Sequence, residues 1–184
     1  MKINNLTKAF GNNTVFKDLN LEIKDNQVTY IMGKSGIGKT TLFKMIAGLD
    51  KDYTGNISFE GSIAYVFQEP RLFPHLSVLN NLKIVSDSPI YDAYEILNTV
   101  ELGGCENMMP SELSGGMKMR LSIARAIYYN ADVILMDEPF VSIDSDTKER
   151  IAKSIFDLLK GKTVIVISHD QNEANKYADK IINI

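Results

Sequence analysis

Residues Gly33-Lys34-Ser35-Gly36-Ile37-Gly38-Lys39-Thr40 fit the pattern G-x-x-x-x-G-K-[ST]. Such a loop works only where a strand runs into it and a helix starts from it. The sequence supplies both: Gln27 to Met32 is a short β-rich run, and Lys39 to Ala47 carries a helical pattern. The glycines permit a tight turn whose backbone N–H groups point inward at β- and γ-phosphates, and the helix adds the positive end of its dipole. Lys39 is expected to neutralise phosphate charge and the Thr40 hydroxyl to ligate Mg²⁺, with Thr41 beside them on the nucleotide. The loop alone does not separate a kinase from a GTPase or a transport ATPase.

The rest of the chain reads as alternating strands and helices. Phe16, Leu19, Leu21 and Ile23 are apolar among polar neighbours, which predicts strand. Asn56 to Glu60 and Ile63 to Phe67 read as two more strands across Gly61-Ser62. Ser77 to about Leu102 is helical in pattern, with Val78, Leu82 and Val85 spaced for a helix and Pro89 as a break. Ser114 to Tyr129 predicts a helix, Asp132 to Met136 a buried strand, and Asp146 to Leu159 a helix with Ile151, Ile155, Leu158 and Leu159 on one face. Thr163 to Ile167 then reads as a strand, Gln171 to Ala178 as a helix and Ile181 to Ile184 as a last strand. Continuous apolar strands between amphipathic helices indicate a parallel sheet covered on both faces. The fold class is therefore α/β: a P-loop NTPase core with a mainly parallel sheet.

Bulk properties narrow the choice. The 184 residues fit one domain, and a single phosphate loop means one nucleotide domain and not a tandem pair. With 45% apolar and 23% charged residues the chain is globular, and its net charge of -3 lacks the basic stripe of a nucleic-acid binder. Cys105 is the only cysteine, so no internal disulfide can form, which points to a reducing compartment. No apolar run approaches the roughly 18–20 residues that span a bilayer, and Met1 to Asn5 lacks a secretion signal. The expectation is a cytoplasmic protein unless a partner holds it at a membrane.

Two further motifs carry chemistry. Leu113-Ser114-Gly115-Gly116-Met117 stands at the start of a helix. It reads either as a helix cap with a flexible lead-in or as a second anion site. Val133-Ile134-Leu135-Met136-Asp137-Glu138 is an apolar strand ending in two carboxylates, which places them at the C-terminal edge of a parallel sheet, where ligands bind.

Taken in order, these motifs resemble the ABC (ATP-binding cassette) family over essentially the whole chain. Leu113 to Met117 is similar to its L-S-G-G-Q signature, and Val133 to Glu138 to its Walker B strand, continued by Pro139 and Asp144. The resemblance implies ATP hydrolysis by two cassettes paired head to tail, each ATP lying between the phosphate loop of one and the signature of the other. Asp137 then holds the Mg²⁺ hydration shell and Glu138 orients or deprotonates the attacking water. Gln68, after Val66-Phe67, takes the position of the Q-loop glutamine, which senses γ-phosphate and Mg²⁺ beside the membrane-subunit contact. His169, in Ile167 to Asp170, takes that of the switch histidine on the γ-phosphate. Val141 to Asp144 falls at the D-loop, and Phe10 where the family stacks an aromatic ring on adenine. Ser114, Gly115 and Gly116 supply the signature's phosphate contacts. The family also implies a small N-terminal antiparallel β subdomain and a helical signature subdomain, inserted at about residues 69–125 of a single domain spanning 1–184.

The segment from Gln68 to Asn81 is similar to that of importer ATPases for nitrate, sulfonates, taurine and like solutes, although His75 stands where that subgroup usually has tryptophan. The resemblance thus implies a second cassette, identical in a homodimer, with permease subunits in the membrane and an external solute-binding protein. It places the chain peripherally on the inner face of the cell membrane. A soluble ATPase of the iron–sulfur assembly type is the alternative. A chain ending at Ile184 is expected to carry no regulatory C-terminal domain, and the stretch from Lys39 to Gln68 to lack part of the family's antiparallel sheet. Met117 departs from the signature glutamine, but Ser114, Gly115 and Gly116 remain. Met117→Gln is therefore expected to change steady-state phosphate release only modestly, and a jump of several orders of magnitude would contradict this reading.

Overall fold

The computed structural model describes residues 1–184. In order, the chain forms β1 (Lys2–Phe10), β2 (Asn13–Glu22), β3 (Val28–Met32), α1 (Lys39–Ile46), β4 (Thr54–Ser58), β5 (Ile63–Val66), α2 (Val78–Lys83) and α3 (Ala93–Thr99). There follow α4 (Gly115–Tyr129), β6 (Val133–Asp137), α5 (Ser145–Leu158), β7 (Thr163–Ile167), α6 (Gln171–Tyr177) and β8 (Lys180–Asn183).

The apolar runs become the inner strands of a five-stranded sheet in the order β5-β6-β7-β3-β8, every neighbouring pair parallel. All residues of β6 and β7 are buried, because each of their faces is covered. Alternation along the strands sends Ile134, Met136, Val164 and Val166 into one core with Leu82, Ile96, Leu97, Met119, Ile151 and Ile155 of helices α2 to α5. It sends Val133, Leu135, Ile165 and Ile167 into the opposite core, against α1 and the inner residues Ile3, Leu6 and Phe16 of β1 and β2. A second sheet, β2-β1-β4, is antiparallel throughout.

The strand β1 is not singled out by the sequence pattern. Asn5, at φ 50°, breaks its alternation with a register shift, and only Ile3 and Leu6 among its apolar residues turn fully inward. Lys8 is also buried on this strand, held by Asp50 at 3.0 Å and Asp52 at 3.3 Å. The helical stretch read over Ser77 to Leu102 is two short helices. The first ends at Lys83, so Val85 packs on the core from outside it, and α3 starts afresh with the Asp92 carboxylate accepting from the N–H groups of Tyr94 and Glu95.

Asn81 holds the segment between β5 and α2. It is fully buried, accepts from the Phe73 N–H at 2.8 Å, and donates to the carbonyls of Leu76 at 2.7 Å and Phe73 at 3.0 Å. Asn81→Ala orphans these backbone groups, and should lower stability by about 2 kcal/mol, read as a lower urea midpoint with an unchanged slope.

Candidate nucleotide site

Four strand ends at the C-terminal edge of the parallel sheet converge on one cleft of about 600 Å³. The loop after β3 contributes Ser35, Gly36 and Gly38, and the start of α1 contributes Lys39, Thr40 and Thr41. Asp137 and Glu138 arrive from β6, His169 from just beyond β7, and Gln68 from just beyond β5.

The loop is shaped by contacts that exclude a side chain. A Cβ on Gly38 would lie 2.2 Å from Val15 Cγ1 of β2, and the residue sits at φ 108°. A Cβ on Gly33 would lie 2.6 Å from the Ile184 carbonyl oxygen. Beyond Gly36, at φ 80°, the space is open. Gly38 is the N-cap of α1 and offers no side-chain acceptor, so the first N–H groups of the helix are left for another partner. Lys39 is buried, and its ammonium donates only to the carbonyls of Gly33 at 2.8 Å and Lys34 at 3.1 Å. A buried cation held by neutral carbonyls is an anion-seeking group.

The acidic side of the cleft is built from strand ends. Asp137 is 1% exposed; its Oδ2 accepts from the Tyr65 hydroxyl at 3.3 Å while Oδ1 is buried with no partner. Burial raises its carboxyl above the usual range, against the lowering effect of the Thr40 and Tyr65 hydroxyls. An orphaned buried carboxylate oxygen near a threonine hydroxyl is the hard-oxygen donor set that a magnesium ion takes, so the residues fit that ion.

Glu138 has φ 51°, in the left-handed region, fixed by its N–H donating to the Ile167 carbonyl at 2.9 Å. That conformation costs on the order of 1–3 kcal/mol and aims the side chain into the cleft. His169 Nδ1 lies 3.0 Å from both carboxylate oxygens, but only Oε1 is aligned for a hydrogen bond, and Oε2 is buried without a partner. The His169 ring is 70% exposed, so its other edge faces open space.

Not every residue singled out in the sequence lines this cleft. Gly33, Lys34 and Ile37 belong to the loop but not to its inner wall, and Phe10 stands apart at the end of β1, 54% exposed with the Lys8 ammonium 4.6 Å above its ring. Ser114, Gly115 and Gly116 also lie outside it. Ser114 caps α4 by accepting from the Met117 N–H at 3.2 Å; a Cβ on Gly115 would meet nothing, and one on Gly116 would lie 2.9 Å from the Ser142 carbonyl oxygen. Tyr65 was not picked out by sequence reasoning. It stacks on Phe67 with ring centroids 4.1 Å apart and donates to Asp137, a role that needs the parallel pairing of β5 with β6 to be seen.

This fold and cleft define a P-loop nucleoside triphosphatase. The family described as "ABC transporter" matches residues 16–141, well over half of the chain. The aliphatic sulfonates import ATP-binding protein SsuB 1 of Pseudomonas savastanoi pv. phaseolicola is 37% identical over 181 residues, covering 95% of this chain and 76% of that protein. The sulfate/thiosulfate import ATP-binding protein CysA of Synechocystis sp. is 35% identical over 201 residues, covering 98% of this chain and 56% of that protein. Among solved structures, a dimeric ATP-binding cassette in a post-hydrolysis state with ADP and Pi superposes with a TM-score of 0.84 at 32% identity, covering 100% of this chain and 93% of that one. The chain belongs to the ABC transporter family, as an ATP-binding and ATP-hydrolysing subunit.

Gly38→Ala places a side chain at φ 108° and against Val15. If the nucleotide-bound loop bears this strain of ~1–3 kcal/mol, ATP affinity should fall by about 5- to 150-fold in a fluorescent-nucleotide titration, with the far-UV circular dichroism of a folded chain.

Proposed function

We propose that the chain powers import of a small oxyanion-bearing solute of the aliphatic sulfonate class, as one of two identical cassettes bound to a permease pair on the inner face of the cell membrane. An external binding protein delivers the solute. The relatives named for sulfonate import and for sulfate/thiosulfate import support this class, and no helix here is long and apolar enough to cross a membrane. Nothing in the fold or the comparisons favours the alternative of a soluble assembly ATPase. Residues 1–184 act as one nucleotide-binding domain, with about 69–125 as its helical signature subdomain.

The observation that carries the reading is the meeting of Lys39, Thr40, Gln68, Asp137, Glu138 and His169 in one cleft. The loop N–H groups of Gly33 to Gly38, with Lys34, Ser35 and Ile37 completing the turn, hold the phosphates, and Lys39 supplies the positive charge. Thr40, Asp137 and Gln68 would hold Mg²⁺, which when bound neutralises charge on the β- and γ-phosphates. Glu138 accepts the proton of the attacking water or orients it, while His169, whose ring is tied to Glu138 through Nδ1, presents its free edge to the γ-phosphate. Phe10 offers an exposed ring for adenine. Ser114, Gly115 and Gly116 engage the nucleotide of the partner cassette, a role supported by the open space over Gly115 and by their position outside this chain's own cleft.

Glu138→Gln removes the base and keeps the shape. ATP affinity is expected to stay near that of the parent while phosphate release falls by about 100-fold or more, with an ATP-bound dimer accumulating in size-exclusion chromatography. Normal turnover by this variant would remove Glu138 from its role.

A further inference from the structure

Behind Glu138 and His169 lies a second, smaller cavity of about 260 Å³, lined also by Lys148, Ser168, Asp170 and Glu173. Lys148, Asp170 and Glu173 form one ion-paired cluster in its wall. The Lys148 ammonium, on the first turn of α5, lies 2.7 Å from Asp170 Oδ2 and 2.7 Å from Glu173 Oε2. Glu173 is 5% exposed, and its other oxygen accepts from the hydroxyl of Tyr30 at 3.1 Å. Tyr30 is fully buried on β3, the strand that runs directly into the phosphate loop.

Asp170 does two things at once. Its Oδ1 caps α6 by accepting from the N–H groups of Asn172 at 3.0 Å and Glu173 at 3.1 Å, and its own N–H donates to Ser168 Oγ at 3.1 Å. His169 is therefore suspended between two anchored residues, and the anchor on the α6 side is tied to α5 by Lys148. We propose that Lys148 is a positioning residue for His169, holding the histidine at the γ-phosphate by fixing Asp170, with Glu173 and Tyr30 bracing the lysine against the phosphate-loop strand.

Physical chemistry favours a tether over an ornamental surface pair. A carboxylate buried as deeply as Glu173 is tolerated when a cation and a hydrogen bond face it. Burial raises the Glu173 carboxyl, and Lys148 and Tyr30 act against that rise. Burial also lowers Lys148, but Asp170 and Glu173 outweigh it and keep the ammonium charged. The lysine rides on α5, which Asp144 of the D-loop caps by accepting from the Thr147 N–H at 2.9 Å, so the tether joins the D-loop helix to the histidine.

The inference rests on the γ-phosphate role proposed for His169, and the test separates the two. Lys148→Met is expected to lower turnover at saturating ATP by about tenfold and to shrink the preference for ATP over ADP, with ADP affinity unchanged. Lys148→Arg, which can reach both carboxylates, should restore most of both. Pairing Lys148→Met with Glu173→Gln removes the stranded buried charge, so the melting temperature should recover while turnover and ATP preference stay low. Turnover and ATP preference near parent values in Lys148→Met, or their recovery along with stability in the double variant, would reduce the cluster to a structural role and overturn the proposal. His169→Ala serves as the reference: parent-like turnover and ATP preference there would instead overturn the reading of His169, and the tether with it.

Discussion

The phosphate loop is pressed between two sheets at van der Waals distance, and the rest of the molecule is arranged around that closeness. At one end the Ile184 carbonyl of the parallel sheet's edge leaves no room for a side chain on Gly33, and at the other Val15 and Phe16 of the antiparallel sheet leave none on Gly38. The helix that leaves the loop carries no side-chain cap, so its first N–H groups meet no side-chain acceptor. Strand β3 brings the chain to that point as an inner strand, between β7 and the edge strand β8. The same placement puts the ends of β6 and β7, with Asp137, Glu138 and His169, across the cleft.

The residues proposed to serve a partner's nucleotide, Ser114, Gly115 and Gly116, lie on another part of the surface. The signature lies outside the cleft, yet it is not isolated within the chain, since Gly116 packs against the Ser142 carbonyl of the D-loop. From Ser142 the path continues through Asp144, the cap of α5, to Lys148 and the residues flanking His169. The surface proposed for a neighbour's nucleotide is thus joined by a few contacts to this chain's own cleft. Such a connection is what a paired ATPase needs if closing one interface is to set the geometry of both sites.

Much of this was legible in the sequence because it is local. The loop, the acidic strand end and the signature are each short runs whose residue types fix their geometry, and the long apolar strands announced a sheet buried on both sides. Where the pattern was broken it misled: Asn5 disrupts the alternation of β1, and Val85 keeps helical spacing beyond the end of α2. Contacts between distant segments left no trace to read. Tyr65 and Asp137 meet across paired strands, Lys8 is buried by aspartates more than 40 residues away, and Tyr30 meets Glu173 across 143 residues. A tyrosine in a strand or a lysine in a helix looks the same whether or not it has such a partner.

If each ATP site is composed from two chains, two variants that are inactive alone should complement each other. A chain with Lys39→Ala has lost its phosphate loop, and a chain with Ser114→Arg has lost its signature; each alone is inactive if sites are shared. Mixing them in equal amounts rebuilds one intact site in every mixed pair. Turnover should recover toward about a quarter of the parental value, since half of randomly formed pairs are mixed and each keeps one site of two. A mixture no more active than the separate variants would contradict it.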